Sequence, residues 1–273
     1  MLNPGRVGAN VKVQKSLGDL PYSNVFSIIG TGNFASTEWS LMSQSTKIQN
    51  LPYYNLRAGG TTAQTVYVAS ESTNDIVGGT GAQSVILSGL DNNYMPAQEI
   101  KLLNGQTQVA STNNYVSQPE SIIFSFGSLT DANTGDSVAD GNIWSGVGTW
   151  TAGVPQYPLS FIHADSLDPN SREAVHVVPA NKRVILHGFV ITVEDDLLSD
   201  NDCDFITSIK LFGLGDAQWF KMPSFNFKGQ FKYEFLSYVS LPPKTEIQAR
   251  VRIKNVKAKN ITLDLTMEEV TLL

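Results

Sequence analysis

Nine residues near the C-terminus, EIQARVRIK (Glu246–Lys254), alternate polar and apolar without a break. Ile247, Ala249, Val251 and Ile253 fall on one side, and Gln248, Arg250, Arg252 and Lys254 on the other. A period of two belongs to a strand, whose successive side chains point to opposite faces; a helix would scatter the same residues around its axis. The segment therefore predicts a half-buried strand. The pattern recurs in ITLDLTM (Ile261–Met267) and in FNFKGQFKYEF (Phe225–Phe235), where Gly229 is expected to turn or bulge the chain. Further strands are expected at Gln64–Ser70, Gln83–Gly89, Gln98–Leu103, Ser121–Phe126 and Lys182–Val193. Between the runs lie GGTG, GLDNN, LNGQ and LPPK, and Asn104-Gly105 is a tight-turn signal because both residues tolerate positive φ.

Many short strands at close spacing predict an all-β chain of the sandwich, jelly-roll or barrel type. The one helical candidate is STEWSLMS (Ser36–Ser43). The expected organisation is an extended N-terminal arm over residues 1–60, rich in Asn, Ser and Gly, followed by two β-sandwich or jelly-roll-like domains, 61–172 and 173–273. The segment His163–Ala174 reads as the connector.

Composition narrows the function classes. Only 16% of the 273 residues are charged, and Ser, Thr, Asn, Gln and Gly take their place. Neutral polar surfaces of this kind suit permanent assemblies, in which buried charge is costly. The net charge of -6 argues against nucleic-acid binding. One cysteine, Cys203, excludes an internal disulfide framework. MLNPGRVGAN lacks the apolar centre of a signal peptide, and no apolar run approaches the about 20 residues of a membrane span. The expectation is a chain that folds in a reducing cytoplasm and has no membrane partner.

The search for chemistry is largely negative. His163, His176 and His187 are not spaced as metal ligands on one element, and His176 and His187 lie in strand-like runs. Cys203 sits among six acidic residues between Glu194 and Asp204, which disfavours its thiolate. No G-x-S-x-G occurs, and VGGTGAQS lacks the Lys-Ser/Thr ending of a phosphate loop. Asp131, Asp136 and Asp140 are carboxylates without a sequence pairing that would make them a glycosidase dyad. No cofactor is expected, with calcium the one exception to weigh. Asp200, Asp202 and Asp204 alternate as oxygen ligands do at the start of a calcium loop, but Phe205 stands where glycine is expected and no Glu closes it, and that missing context favours a plain acidic loop. The acidic run is followed, from Phe205 to Asn260, by ten Lys/Arg against three Asp/Glu. The two could pair between subunits or simply face solvent. Trp144, Trp150 and Tyr157, set among Gly and Pro, read either as contacts for a glycan or protein partner or as a cap on a sandwich end.

Taken in order, VYVASESTND (Val66–Asp75), GTGAQSVILSGLD (Gly79–Asp91), EIKLLNGQTQV (Glu99–Val109), GNIWSGVGTWTAGVP (Gly141–Pro155), HVVPANKRVILHGFVI (His176–Ile191) and LPPKTEIQARV (Leu241–Val251) resemble a module of structural proteins from tailed bacteriophages of marine and cyanobacterial type. Asn181 stands where that module usually has glycine, and KTEI replaces its more common KTDI. The likeness runs from Asn33 to the C-terminus.

The resemblance implies a non-enzymatic virion component, a capsid decoration, head fibre or tail protein. Its partners would be major capsid or tail proteins, and by the habit of such proteins it would be a homo-oligomer, with a trimer favoured. Folding would occur in the host cytoplasm and the N-terminal arm would anchor the chain. The alternative is a receptor-binding fibre module reading host glycans. A glycan-depolymerising enzyme is a third class, and it requires two carboxylates about 5–10 Å apart in a cleft.

Overall fold

The computed structural model describes residues 23–35, 38–49, 63–125, 139–164, 169–194, 203–210, 219–221, 225–227, 230–253 and 259–272. Among them the chain is all-β, with one helical turn at Thr46–Gln49. No helix among them is long and apolar enough to cross a membrane.

Two sheets enclose the first core. One runs β6 (Val109–Tyr115), β3 (Gln64–Ser70), β8 (Ile143–Thr151), β9 (Val154–Ile162); the other runs β5 (Pro96–Leu102), β4 (Ser84–Leu90), β7 (Ser117–Ser125). Val66 and Val68 of the first sheet meet Val85 and Leu87 of the second, with Tyr115 and Leu159 fully buried beside them. A second pair of sheets encloses the second core. One is ordered β1 (Ser23–Phe34), β17 (Lys259–Thr271), β11 (Lys182–Glu194), β15 (Gln230–Leu241). The other is ordered β10 (Val175–Val177), β16 (Glu246–Ile253), β12 (Cys203–Lys210), β13 (Trp219–Lys221), with β14 (Phe225–Phe227) on β12 and β2 (Ser40–Leu41) on β16. Ile261, Leu263, Leu265 and Met267 of β17 face Ile247, Ala249, Val251 and Ile253 of β16, the two sets that the period of two selects. Every pairing between the strands named here is antiparallel, and connections among them are short or cross between facing sheets.

Two expectations change. Part of the expected arm is strand: Ser23–Phe34 pairs residue for residue with β17 from Val270 back to Lys259. The alternation was hidden because two inward positions are Gly30 and Gly32. A Cβ on Gly30 would stand 2.7 Å from that of Ala174 and 2.8 Å from that of Met42, and one on Gly32 would meet the Ser43 carbonyl at 2.1 Å. Only glycine lets the 42–45 segment cross so near the strand. The helix expected at Ser36–Ser43 is not formed: Ser40 and Leu41 pair with Val251 and Arg250, and the single helical turn follows later. FNFKGQFKYEF is divided between two sheets, β14 joining β12 and β15 joining β11 in the opposite sheet, and Gly229, where a turn or bulge was expected, lies outside the described residues.

The sandwiches are welded. Paired residues in a sheet share a face, so Val175 beside Gln248 and Leu41 beside Arg250 define one face of β16. Val175 and Leu41 both belong to the first core. That face of β16 therefore abuts the first sandwich, which explains why its polar residues Glu246 and Gln248 are buried although alternation predicts them exposed. They are satisfied in a chain: Gln248 donates to Glu246 at 2.7 Å, and Arg250 donates to Gln248 at 2.7 and 3.1 Å. A third cluster, built on Leu90, Tyr94, Val116 and Val177, closes the other side of the joint. There the Ala180 amide donates to the Tyr94 carbonyl at 2.9 Å, and the Lys244 ammonium lies 4.8 Å from the Tyr94 ring centre.

Candidate functional site

The residues singled out from sequence do not converge. Trp144 is buried, its ring centre 4.5 Å from that of Phe161, and its indole N–H donates to Glu71 Oε1 at 2.7 Å. Trp150 is half-buried against the first core, and its indole nitrogen is buried without a hydrogen-bond partner among the described residues. Of the three aromatic residues only Tyr157 reaches the surface, at 36% exposure. Trp144 thus anchors the sandwich end rather than offering a platform. Beside it lies a polar depression of about 480 Å³. Its groups are largely spent on one another: Asn142 Nδ2 donates to Glu71 Oε2, Gln106 to the Glu71 carbonyl, and the Ala164 amide to Asn142 Oδ1. Asp140 accepts from Thr80 at 2.7 Å.

Asp131, Asp136, Asp200 and Asp202 lie outside the described residues. Asp204 falls within β12, at the register of Arg252 and Asn226, and Cys203 at that of Ile253 and Phe227. No group of three His, Cys, Asp or Glu that could hold a metal occurs among the described residues. The histidines are structural. His176 Nε2 stands 3.2 Å from Glu269, linking β10 to β17 across the second core, and His187 Nε2 stands 3.0 Å from Glu268. His163 is exposed and packs edge-on against Phe161. Burial would push the Glu269 carboxyl up, but the His176 and Lys182 contacts prevail and hold it below its ordinary value.

Sequence reading missed the most unusual surface, which lies on β5. In PAQEIKL the side chains aimed at the core side are Ala97, Glu99 and Lys101, the register neighbours of Gly89, Leu87 and Val85. Those turned outward include Ile100 at 52% exposure and Leu102 at 60%. The amphipathic sense of an edge strand is inverted. The inward polar residues clasp β6: Glu99 accepts from the amides of Thr112 at 2.7 Å and Asn113 at 3.0 Å and from the Tyr115 hydroxyl at 3.0 Å. Lys101 reaches the Thr112 hydroxyl at 3.3 Å. Desolvation raises the Glu99 carboxyl, but these donors outweigh it, and its pKa lies below the ordinary value. Burial, with the Glu99 charge beside it, raises the Tyr115 phenol. The outward face continues along the register from Ile100 through half-buried Ile86 to half-buried Ile122. The exposed apolar patch is thus Ile100 and Leu102 on β5 with half-buried Ile86 beside them, while Ile122 faces the joint. The sequence signal was available, since Glu99 and Lys101 alternate with Ile100 and Leu102. What alternation cannot say is which side is the core.

The fold and this face define an all-β chain of two joined sandwiches with an apolar outer sheet surface. No protein-family model matches the sequence, and no curated protein matches it. Among solved structures, the chain is similar at 10% identity to the structure of infectious bursal disease virus Gt strain, covering 92% of this chain and 71% of that one with a TM-score of 0.24. The N-terminal CBM22-1-CBM22-2 tandem domain of Paenibacillus barcinonensis Xyn10C gives 10% identity, 93% and 94% coverage and a TM-score of 0.24. The infectious bursal disease virus VP2 subviral particle gives 7% identity, 91% and 72% coverage and a TM-score of 0.22. Superpositions this loose carry no functional argument.

Proposed function

We propose that this chain is a non-enzymatic structural component of a tailed-bacteriophage virion, attached to a neighbouring particle protein through the outer face of its three-stranded sheet. The observation that carries the reading is the inverted strand β5, which spends its polar residues inward and presents Ile100 and Leu102 outward. A lone exposed leucine is ordinary, but Ile100 and Leu102 together on the outer face of an edge strand, with Ile86 beside them, form an apolar patch suited to being covered. The ordered likeness from Asn33 to the C-terminus is the support for the class of particle. The weld between the sandwiches supports a load-transmitting body: the first core takes Leu41 and Val175 from strands of the second sandwich.

The test is incorporation. Ile100→Asp with Leu102→Asp, both at exposed positions, leaves the chain folded and removes it from particles. Wild-type-level incorporation of the folded double variant refutes attachment through this face. A truncation meant to test an N-terminal anchor has to stop before Ser23, because β1 is an integral edge strand.

A further inference from the structure

Glu173 is 5% exposed at the crossing of the two sandwiches. Its neighbour Ala174 accepts from the Ala249 amide and donates to the Met42 carbonyl, both at 2.9 Å, so the carboxyl lies where the connector, the 42–45 segment and β16 meet. Glu173 Oε1 accepts from the Ser43 hydroxyl at 3.1 Å. Glu173 Oε2 is buried and has no hydrogen-bond partner among the described residues. The carboxyl borders a crevice of about 270 Å³ that opens between β1, through Ile28 and Ile29, and Ile122 of β7.

Few charged groups lie on the described elements that meet here. Arg172 lines the same crevice. On β16, Arg250 and Glu246 are both engaged with Gln248. On the helical turn, Lys47 is directed to the Pro155 carbonyl. From β1 the crevice receives only Ser27, Ile28 and Ile29. With Oε2 unpartnered among the described residues, a carboxylate in such a place is costly to ionise.

We propose that the joint between the sandwiches is proton-controlled: it is closed while the Glu173 carboxyl is neutral, and it loosens and hydrates when that carboxyl ionises. The direction of titration agrees. Burial, against weaker opposing hydrogen bonds led by that of Ser43, pushes the carboxyl up to about 8. In the unfolded chain it ionises near 4.5. The native state therefore holds a proton that the unfolded state has lost, so the joint weakens as pH rises from about 4.5 and the loss is complete above about 8. Ionised Glu173 would seek water through the crevice, and the 42–45 and 170–175 segments would part there first.

Hydrogen exchange on the full chain tests this, with rates corrected for the intrinsic effect of pH. Amide protection in residues 42–45 and 170–175 is expected to fall about a hundredfold between pH 6 and pH 9 in the wild type, most of it below pH 8. It is expected to stay level in Glu173→Gln, which keeps the neutral shape. Ser43→Ala removes a bond that favours the ionised form, so it moves the midpoint to higher pH and gives a readout independent of how the Gln variant folds. Protection that does not change with pH in the wild type, an equal change in Glu173→Gln, or a Ser43→Ala midpoint that stays or falls would each overturn the proposal.

Discussion

Tyr115 donates its phenolic hydrogen to Glu99 Oε1 across 3.0 Å and so ties the last residue of β6 to the middle of β5. The two strands lie at the edges of different sheets. A sandwich normally closes such a gap with apolar side chains. Here a carboxylate with three donors closes it, and the apolar side chains of β5 are left facing out.

Glu99→Ala should therefore loosen the sandwich edge. It leaves the Thr112 and Asn113 amides and the Tyr115 hydroxyl short of an acceptor, and the expected cost is about 2–3 kcal/mol at pH 7. The folded-state pKa is depressed, so the stabilisation is present above the unfolded value near 4.5 and is lost as pH falls through the folded value. Urea melts of wild type and variant should differ clearly at pH 7 and converge toward pH 3. An equal gap at both values would contradict the role assigned to the carboxylate.

Gly30→Ala should cost about 1–3 kcal/mol by overpacking, because the new methyl meets Ala174 and Met42 at under 3 Å. Thermal melting reads this directly. A neutral substitution would mean that the 42–45 segment yields easily and that β1 is not pinned beneath it.

Trp144→Phe removes the indole donor to Glu71 and should destabilise by about 1–3 kcal/mol. It should leave adsorption to host cells unchanged, since the ring is buried. If instead adsorption is lost while the melting temperature holds, the fibre-tip alternative gains over attachment through β5. Tyr157→Ala is the companion variant, because Tyr157 alone of the three aromatic residues is exposed.

Much of the fold was legible. β3 spans the expected Gln64–Ser70, and the alternating faces of β16 and β17 became the second core. The losses have physical causes. β1 was hidden by glycines that serve close approach, where no side chain could report a face. The β8–β9 hairpin was missed because its turn is Ala152-Gly153, with φ of 47° and 81°, and alanine is an unusual first residue for such a turn. Asn104-Gly105 does turn, with Gly105 at φ 59°, but it carries the chain from one sheet to the facing one instead of closing a hairpin. Glu246 and Gln248 read as solvent-facing because a single strand pattern cannot report a neighbouring sandwich. The apolar face of β5 was missed for the same reason as its inversion: alternation gives two faces and leaves the choice of core to tertiary contacts.

The most direct measurement is a density map of the whole particle at a resolution that traces strands. The account predicts this chain present in regular copies, with Ile100 and Leu102 buried against a neighbouring protein. Particles that lack the chain, or that hold it with residues 95–102 facing solvent, would contradict it.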